Sequence, residues 1–234
     1  MRTFLMAAAL APTLAAPAEA ATRNFGITSF EKVRIEGPFR VSLTTGVAPF
    51  ARATGSAAAI DRVAIDVQGN TLVVHSNLSG WGGYPGQQSG PVEISLGTHD
   101  LSSAWLSGSG SLAIDRVKGL SFDLSAQGSA SAAVGRVDVD QLKISVVGTA
   151  NATLSGQAAK LTAVVRGISS LDAANLATKD ATIGAEGSAT VAANVSNSAT
   201  VDGSGPATVR LSGRPACTLR VSGSASVTGC KASQ

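Results

Sequence analysis

The sequence predicts an all-β protein, a right-handed parallel β-helix (solenoid) with coils of about 20 residues. Three observations predict this fold: glycines that recur at a nearly constant interval, apolar residues that alternate with polar ones around each glycine, and a composition rich in small residues. Hydrophobic residues reach 44% of the chain but aromatic residues only 4%. Such small side chains must pack through regular stacking of the backbone, because they cannot fill an ordinary core.

Glycines mark the repeat in the second half of the chain. The spacings between them are 20, 20, 19, 20, 16 and 20 residues, for Gly108, Gly128, Gly148, Gly167, Gly187, Gly203 and Gly223. Glycine tolerates the positive φ that a sharp coil corner requires. A period near 20 therefore indicates a solenoid, in which a coil buries its apolar face only against its neighbours.

Alternation around the glycines predicts strands rather than helices. The residues two and four places before each glycine are apolar, and those four and six places after it are apolar or small. Most positions between these apolar residues carry a hydroxyl or amide side chain. The regular array of hydroxyls that results is a candidate binding surface. This period of two on both sides of a glycine indicates a strand, a bend and a second strand, whereas an amphipathic helix needs a period near 3.6. The leucine-rich consensus and the calcium-binding G-G-x-G-x-D repeat are both missing.

The N-terminus predicts export. Residues 1–20 are expected to be a cleaved signal peptide, with Arg2 as the positive region, Phe4–Leu14 as the apolar region and Ala18–Ala20 as the small-x-small cleavage motif. The apolar run is too short to span a bilayer, and no second such run follows. We therefore expect a single domain over residues 21–234, with no transmembrane segment, in the periplasm, at the cell surface or secreted.

Two cysteines lie near the C-terminus. Export permits disulfides, and Cys217 and Cys230 are 13 positions apart, so we expect one bridge between them. A metal site is not expected, because the two histidines, His75 and His99, lie far away in the sequence.

Charge and motifs argue against nucleic-acid binding and catalysis. The net charge is only +3, and no lysine or arginine has another beside it, so nucleic acid is not an expected partner. The sequence holds no G-x-S-x-G, G-x-G-x-x-G, P-loop, H-E-x-x-H or C-x-x-C motif. Asp138 and Asp140 would share a strand face, which we interpret as a solvated face. We expect neither an enzyme nor a cofactor.

The first half of the chain contains further strand-like segments. They are residues 30–35, 39–43, 63–67 and 72–75, and turn signals at Gly37-Pro38 and Gly69-Asn70 separate them. Whether residues 25–75 continue the β-helix or form a separate sheet is left open by these patterns.

The motifs F-E-K-V-R-I-E-G-P-F-R-V-S-L-T-T-G, V-A-I-D-V-Q-G-N-T-L-V-V and L-S-G-S-G-S resemble a known bacterial family. This is the putative auto-transporter adhesin, head GIN domain family, and the resemblance covers about residues 29–215. It implies a β-helical fold in an envelope or secreted protein and brings no catalytic site. The matching positions are Val33, Ile35, Gly37, Pro38, Phe39, Val41, Leu43, Gly46, Leu72, Gly108 and Gly110.

A segment at 79–90, S-G-W-G-G-Y-P-G-Q-Q-S-G, is the candidate binding loop. Aromatic residues on a loop can stack on sugar rings or dock into a partner, with amides supplying hydrogen bonds. The candidate binding residues are Trp81, Tyr84, Gln87 and Gln88.

The sequence thus predicts an exported, non-catalytic structural or adhesive envelope protein that binds a glycan, a surface or a protein. Two alternatives stay open. One is a β-helical carbohydrate-active enzyme, which needs carboxylates that converge from separate coils. The other is a scaffold that self-associates by stacking the open coil ends of two molecules.

Overall fold

A computed structural model describes residues 21–77 and 91–231 of the chain. Of these residues 74% lie in strands, which form one 16-stranded sheet that winds into a β-solenoid of about 6 turns, so the predicted parallel β-helix is confirmed. The elements are β1 (Ala21–Phe25), β2 (Lys32–Glu36), β3 (Arg40–Thr45), β4 (Phe50–Gly55), α1 (Ala57–Ile60), β5 (Val63–Gln68), β6 (Thr71–Ser76), β7 (Glu93–Thr98), β8 (Ser103–Gly108), β9 (Ser111–Gly128), β10 (Ser131–Gly148), β11 (Asn151–Gly167), β12 (Ser170–Gly187), β13 (Thr190–Ser204), β14 (Thr208–Ser212), β15 (Ala216–Ser222) and β16 (Ser226–Thr228).

Strands β9 to β13 form the regular part of the solenoid. Each pairs in parallel with the strand one coil earlier and one coil later, so equivalent residues stack directly. The hydrogen bonds continue through the corners, where the amide of Thr149 donates to the carbonyl of Gly128 at 2.8 Å. The alternating apolar residues point inward and form a buried core along the axis.

In one of the core ladders the side chains become smaller along the axis. This ladder runs Phe122, Leu142, Leu161, Ala181, Ala199, and all five residues are at most 5% exposed. The coil shortens in the same direction, because the corner glycines are 20 residues apart at the start and 18 apart after Gly187.

The predicted corner at Gly203 is wrong by two residues. Gly203 aligns with the inward Ala185. Gly205 has a φ of 73°, and a Cβ added to it would lie 3.3 Å from the Cα of Gly187. The spacing of the glycines in the sequence predicted one coil of 16 residues followed by one of 20. The structure has two coils of 18, because the corner must stack on the corner below it.

The first half of the chain continues the same solenoid. Strand β2 lies between β6 and β8, and β3 lies between β7 and β9, all in parallel. Beyond them, β5, β4 and β1 add antiparallel strands that extend the sheet at the N-terminal end. The question that the sequence left open is answered, because residues 32–45 stack directly on the coil that begins at β8.

The C-terminal end is less covered. Strands β15 and β16 pair with β13 and β14 on one side. Leu219 and Val221 occupy positions that are inward in earlier coils, yet each is 45% exposed. The predicted disulfide between Cys217 and Cys230 is present and ties this last coil to itself.

Within residues 21–77 and 91–231, no helix is long and apolar enough to cross a membrane. The predicted signal peptide, residues 1–20, lies outside the described residues.

The corner stacking predicts a position-specific cost for adding one methyl group. In Gly148→Ala the new Cβ would lie 2.8 Å from the carbonyl oxygen of Gly128, at a φ of 97° that alanine rarely adopts. We expect the free energy of unfolding to fall by about 1–3 kcal/mol. The matched control is Gly184→Ala, whose Cβ would meet nothing nearer than 3.9 Å. Denaturant melts of both variants measure this, and equal stability losses would contradict the stacked-corner geometry.

The disulfide is expected to hold the last coil closed. In Cys217→Ser/Cys230→Ser, amide hydrogen exchange in β15 and β16 should accelerate about thirty- to a hundredfold, because the 13-residue loop contributes about 2–3 kcal/mol by constraining the open chain. Exchange in β10 and β11 should stay unchanged, since each coil contacts only its neighbours. A uniform acceleration along the whole solenoid would contradict this local role.

The same double variant tests the predicted self-association. If the last coil opens, the side chains of Leu219 and Val221, which are already partly exposed, and the outer edge of β15 become accessible to a second molecule. Light scattering should show a mass that grows with concentration if coil ends stack between molecules. A constant monomer mass in both the variant and the intact protein would exclude end-to-end stacking.

Candidate functional site

A groove of about 780 Å³ crosses five coils, β9 to β13, on one flank of the solenoid. We call it the polar groove. It lies where the chain passes from one strand segment to the next within each coil, about ten residues from the corner glycines. Its walls and floor are formed by Lys118, Gly119, Asp138, Val139, Asp140, Gln157, Ala158, Ala159, Ala177, Thr178, Lys179, Asn194 and Ser196.

The floor of the polar groove is a stacked ladder of small side chains. Val139, Ala158 and Thr178 stand in register and are only 4–6% exposed. The hydroxyl of Thr178 donates to the carbonyl of Leu176 at 3.4 Å, so this buried polar group is satisfied within its own coil. Because the floor side chains are short, a ligand can approach the backbone closely.

The rim of the groove carries charges of both signs. Lys118, Asp138 and Gln157 stand in register on successive coils, and the amide of Gln157 donates to the Asp138 carboxylate at 2.8 Å. Asp140 and Lys179 lie at the bend, and both are exposed. Two ammonium groups and two carboxylates give a balanced charge, which suits a neutral or zwitterionic ligand that both donates and accepts hydrogen bonds.

Asp180 lies directly after Lys179 and is the anchor of a small hydrogen-bond cluster. The hydroxyl of Ser198 and the side-chain amide of Asn197 both donate to its carboxylate, the latter at 2.7 Å. The hydrogen bond from Ser198, then that from Asn197, lowers the pKa of Asp180 below its usual value. This carboxylate therefore stays ionised and acts as an acceptor that orders the bend.

The two groove carboxylates do not converge from separate coils. Asp138 and Asp140 come from β10 alone, two residues apart. Among the residues that the structure describes, no group of three or more His, Cys, Asp or Glu side chains is placed to hold a metal ion. The groove therefore presents side chains of both charges along its rim.

The predicted binding residues Trp81, Tyr84, Gln87 and Gln88 lie outside the described residues. The described chain on either side of them ends β6 and begins β7, at the N-terminal end of the solenoid.

The predicted hydroxyl array is present on a different flank. The hydroxyls of Ser129 and Thr149 are 2.9 Å apart, and that of Ser170 donates to the side-chain oxygen of Asn151 at 2.9 Å. Many of these hydroxyls and amides are therefore already paired with the coil next to them. In the coil that follows Gly205, the array continues at Thr208 and not at Pro206, because the corner lies at Gly205 and not at Gly203.

Sequence reasoning missed most of the polar groove. The strong alternation holds only within six residues of each glycine, and between Val139 and Leu142 the buried positions are three residues apart. That break in the period of two marks a bend and could have indicated where the groove lies, although a similar break occurs between Val134 and Val137. Asp138 and Asp140, which we interpreted as a solvated strand face, lie on its rim.

Comparison with solved structures finds the same fold in bacterial proteins. A putative adhesin from Bacteroides fragilis has a TM-score of 0.80 at 16% identity, with 89% of this chain and 96% of that chain covered. A putative lipid binding protein from Parabacteroides distasonis has a TM-score of 0.68 at 16% identity, covering 90% and 96%. A putative adhesin from Parabacteroides merdae has a TM-score of 0.68 at 18% identity, also covering 90% and 96%. At these identities the likeness shows the fold alone.

No curated protein matches the chain. The family model described as putative auto-transporter adhesin, head GIN domain, matches residues 29–215, which is most of the sequence. The resemblance expected from the strand motifs of the first half is thereby confirmed. The chain belongs to the putative auto-transporter adhesin, head GIN domain family.

Proposed function

We propose that this protein is an exported, non-catalytic binding module of the bacterial envelope that contacts its partner through the polar groove. The observation that carries the proposal is the groove itself, which offers paired and unpaired charges, two amides and a small-residue floor across five stacked coils. The family description and the neighbours' names, which read putative adhesin and putative lipid binding protein, agree with a binding role.

Export is supported by two independent features. Residues 1–20 carry the pattern of a signal peptide, and the last coil holds a disulfide, which forms and persists in oxidising compartments. The mature protein, a single domain over residues 21–234, would then meet its partner in the periplasm or outside the cell.

The chemistry of the groove favours a neutral or zwitterionic ligand over a strongly charged one. Lys118 and Lys179 attract an anionic group, while Asp138 and Asp140 repel it and attract a cation. Neutral glycans and the headgroup of phosphatidylethanolamine both fit this balance, since each offers donors and acceptors without net charge. The candidate residues Trp81, Tyr84, Gln87 and Gln88, which lie outside the described residues, are proposed as a second contact.

The groove predicts a charge-neutral double variant that loses binding. In Asp138→Asn/Lys179→Gln, binding to array glycans or to phosphatidylethanolamine vesicles should weaken at least about tenfold, because one charged contact of each sign is removed. The matched control is Asp172→Asn/Arg210→Gln, which removes the same pair of charges from an exposed strand flank away from the groove. Equal binding by wild type and both variants, or no binding to either probe, would overturn the groove as the contact site.

A carbohydrate-active enzyme is the second candidate, because Asp138 and Asp140 both line the groove. Glycoside hydrolysis needs an acid and a second carboxylate on opposite sides of the scissile bond, and two side chains from one strand lie on the same side. We expect no release of reducing ends when the protein is incubated with a panel of polysaccharides. Release that disappears in Asp140→Asn and persists in Asp172→Asn would establish the enzyme and displace the binding module.

Self-association remains a proposal for the ends of the rod. The exposed Leu219 and Val221 support it, since apolar side chains in inward positions find no covering coil within the described residues. Stacking at the ends would leave the polar groove on the flank accessible, so the two proposals are compatible.

A further inference from the structure

Trp105 stands on a flank of the solenoid that the polar groove does not reach. It lies in β8, with Arg34 of β2 beside it in register on one side and Ser125 of β9 on the other. Its side chain points outward and is half-buried. A large aromatic residue in a chain with so few of them, placed on an outward position among serines, is not required by the core.

One face of the Trp105 indole is already occupied. The guanidinium carbon of Arg34 lies 4.4 Å from the ring centroid, which is a cation–π contact. Glu36 fixes the guanidinium through an ion pair of 2.6 Å. The Arg34 guanidinium therefore covers one face of the Trp105 indole.

The other face of the ring looks into a small pocket. The pocket has a volume of about 170 Å³, and its polar and aromatic lining consists of Ser103, Trp105, Asp123, Ser125, Lys143 and Ser145. These residues come from β8, β9 and β10, and none comes from β2. The pocket therefore lies on the side of the indole opposite to Arg34, with short serine side chains in front of the ring.

Two charged side chains at the pocket have free hydrogen-bonding groups. Asp123 and Lys143 are aligned on neighbouring coils and exposed. Neither side chain makes a hydrogen bond or an ion pair to any other residue that the structure describes. A carboxylate acceptor, an ammonium donor and serine hydroxyls thus stand at the edge of a pocket whose surface is mostly apolar.

We propose that the Trp105 pocket is a carbohydrate subsite that binds one neutral sugar ring of a glycan. A pyranose has an apolar C–H face that stacks on an indole, and equatorial hydroxyls at its edge that bond to carboxylate, ammonium and hydroxyl groups. The pocket is large enough for about one such ring, and its one positive and one negative side chain favour a neutral sugar. The inference goes beyond the proposed function, because none of these residues lines the polar groove.

Intrinsic fluorescence can report on this pocket alone. The chain has two tryptophans, so an emission change that wild type shows and Trp105→Phe lacks belongs to Trp105, and the candidate contact Trp81 stays intact. Cellotetraose and tetra-N-acetylchitotetraose are the probes, since both present sugars with equatorial hydroxyls and an apolar face. Sorbitol is the matched control, as it carries the same hydroxyl groups without a ring. We expect a saturable change in emission with at least one tetrasaccharide and none with sorbitol.

Variants of Trp105 test whether its indole ring contacts the tetrasaccharide. By calorimetry in the wild-type background, Trp105→Ala should weaken tetrasaccharide binding at least about tenfold, while Trp105→Phe, which keeps an aromatic face, should weaken it less. Ile168→Ala, which removes a 72% exposed apolar side chain at a corner, is the control for surface changes and should bind as wild type does. Thermal melts establish that each variant is folded.

Two outcomes would overturn the subsite. One is the lack of any emission change with either tetrasaccharide, and the other is unchanged binding in folded Trp105→Ala. The polar groove can be tested separately, because Asp138→Asn/Lys179→Gln should leave the Trp105 response intact. Loss of binding in that groove variant alone would support the proposed function and reject the Trp105 subsite.

Discussion

The structure depends on one constraint, which is that each coil must hydrogen-bond to the coil beneath it in register through strands and corners alike. At the corners the amide of Ser129 bonds to Gly108 and that of Thr149 to Gly128, both at 2.8 Å. A Cβ on Gly148 would come within 2.8 Å of the Gly128 carbonyl oxygen, so only glycine permits this spacing at the corner. Parallel strands are about 4.8 Å apart, and this short repeat lets alanine, valine and leucine fill most of the core with few aromatic residues.

The same register arranges the surface. Outward residues at equivalent positions form ladders one coil apart, and each ladder can change its chemistry from coil to coil without disturbing the core. Lys118, Asp138 and Gln157 form one such ladder at the rim of the polar groove. Arg34, Trp105 and Ser125 form another, which supports the Trp105 pocket. A solenoid therefore separates stability from recognition, because the inward positions hold the coils together and the outward positions are free to vary.

The two ends solve the problem of unpaired strand edges differently. At the N-terminal end, antiparallel strands and the short helix α1 cover the first coil, and Ile60 of α1 is buried. At the C-terminal end, the disulfide between Cys217 and Cys230 closes the last coil on itself, yet Leu219 and Val221 stay exposed. A covalent tie prevents fraying but does not bury apolar surface, so this end stays open to contact with another surface.

The sequence by itself determined the solenoid, its glycine corners and the disulfide, because a period of two and a repeat near 20 residues are local patterns of single residues. It did not determine the corner at Gly205, since the choice between Gly203 and Gly205 depends on which glycine stacks on Gly187. Nor did it reveal the polar groove or the Trp105 pocket, whose members lie up to 78 and 42 positions apart and meet only because coils stack. Tertiary structure decided these sites, because a ladder of outward side chains exists only once the register between coils is fixed.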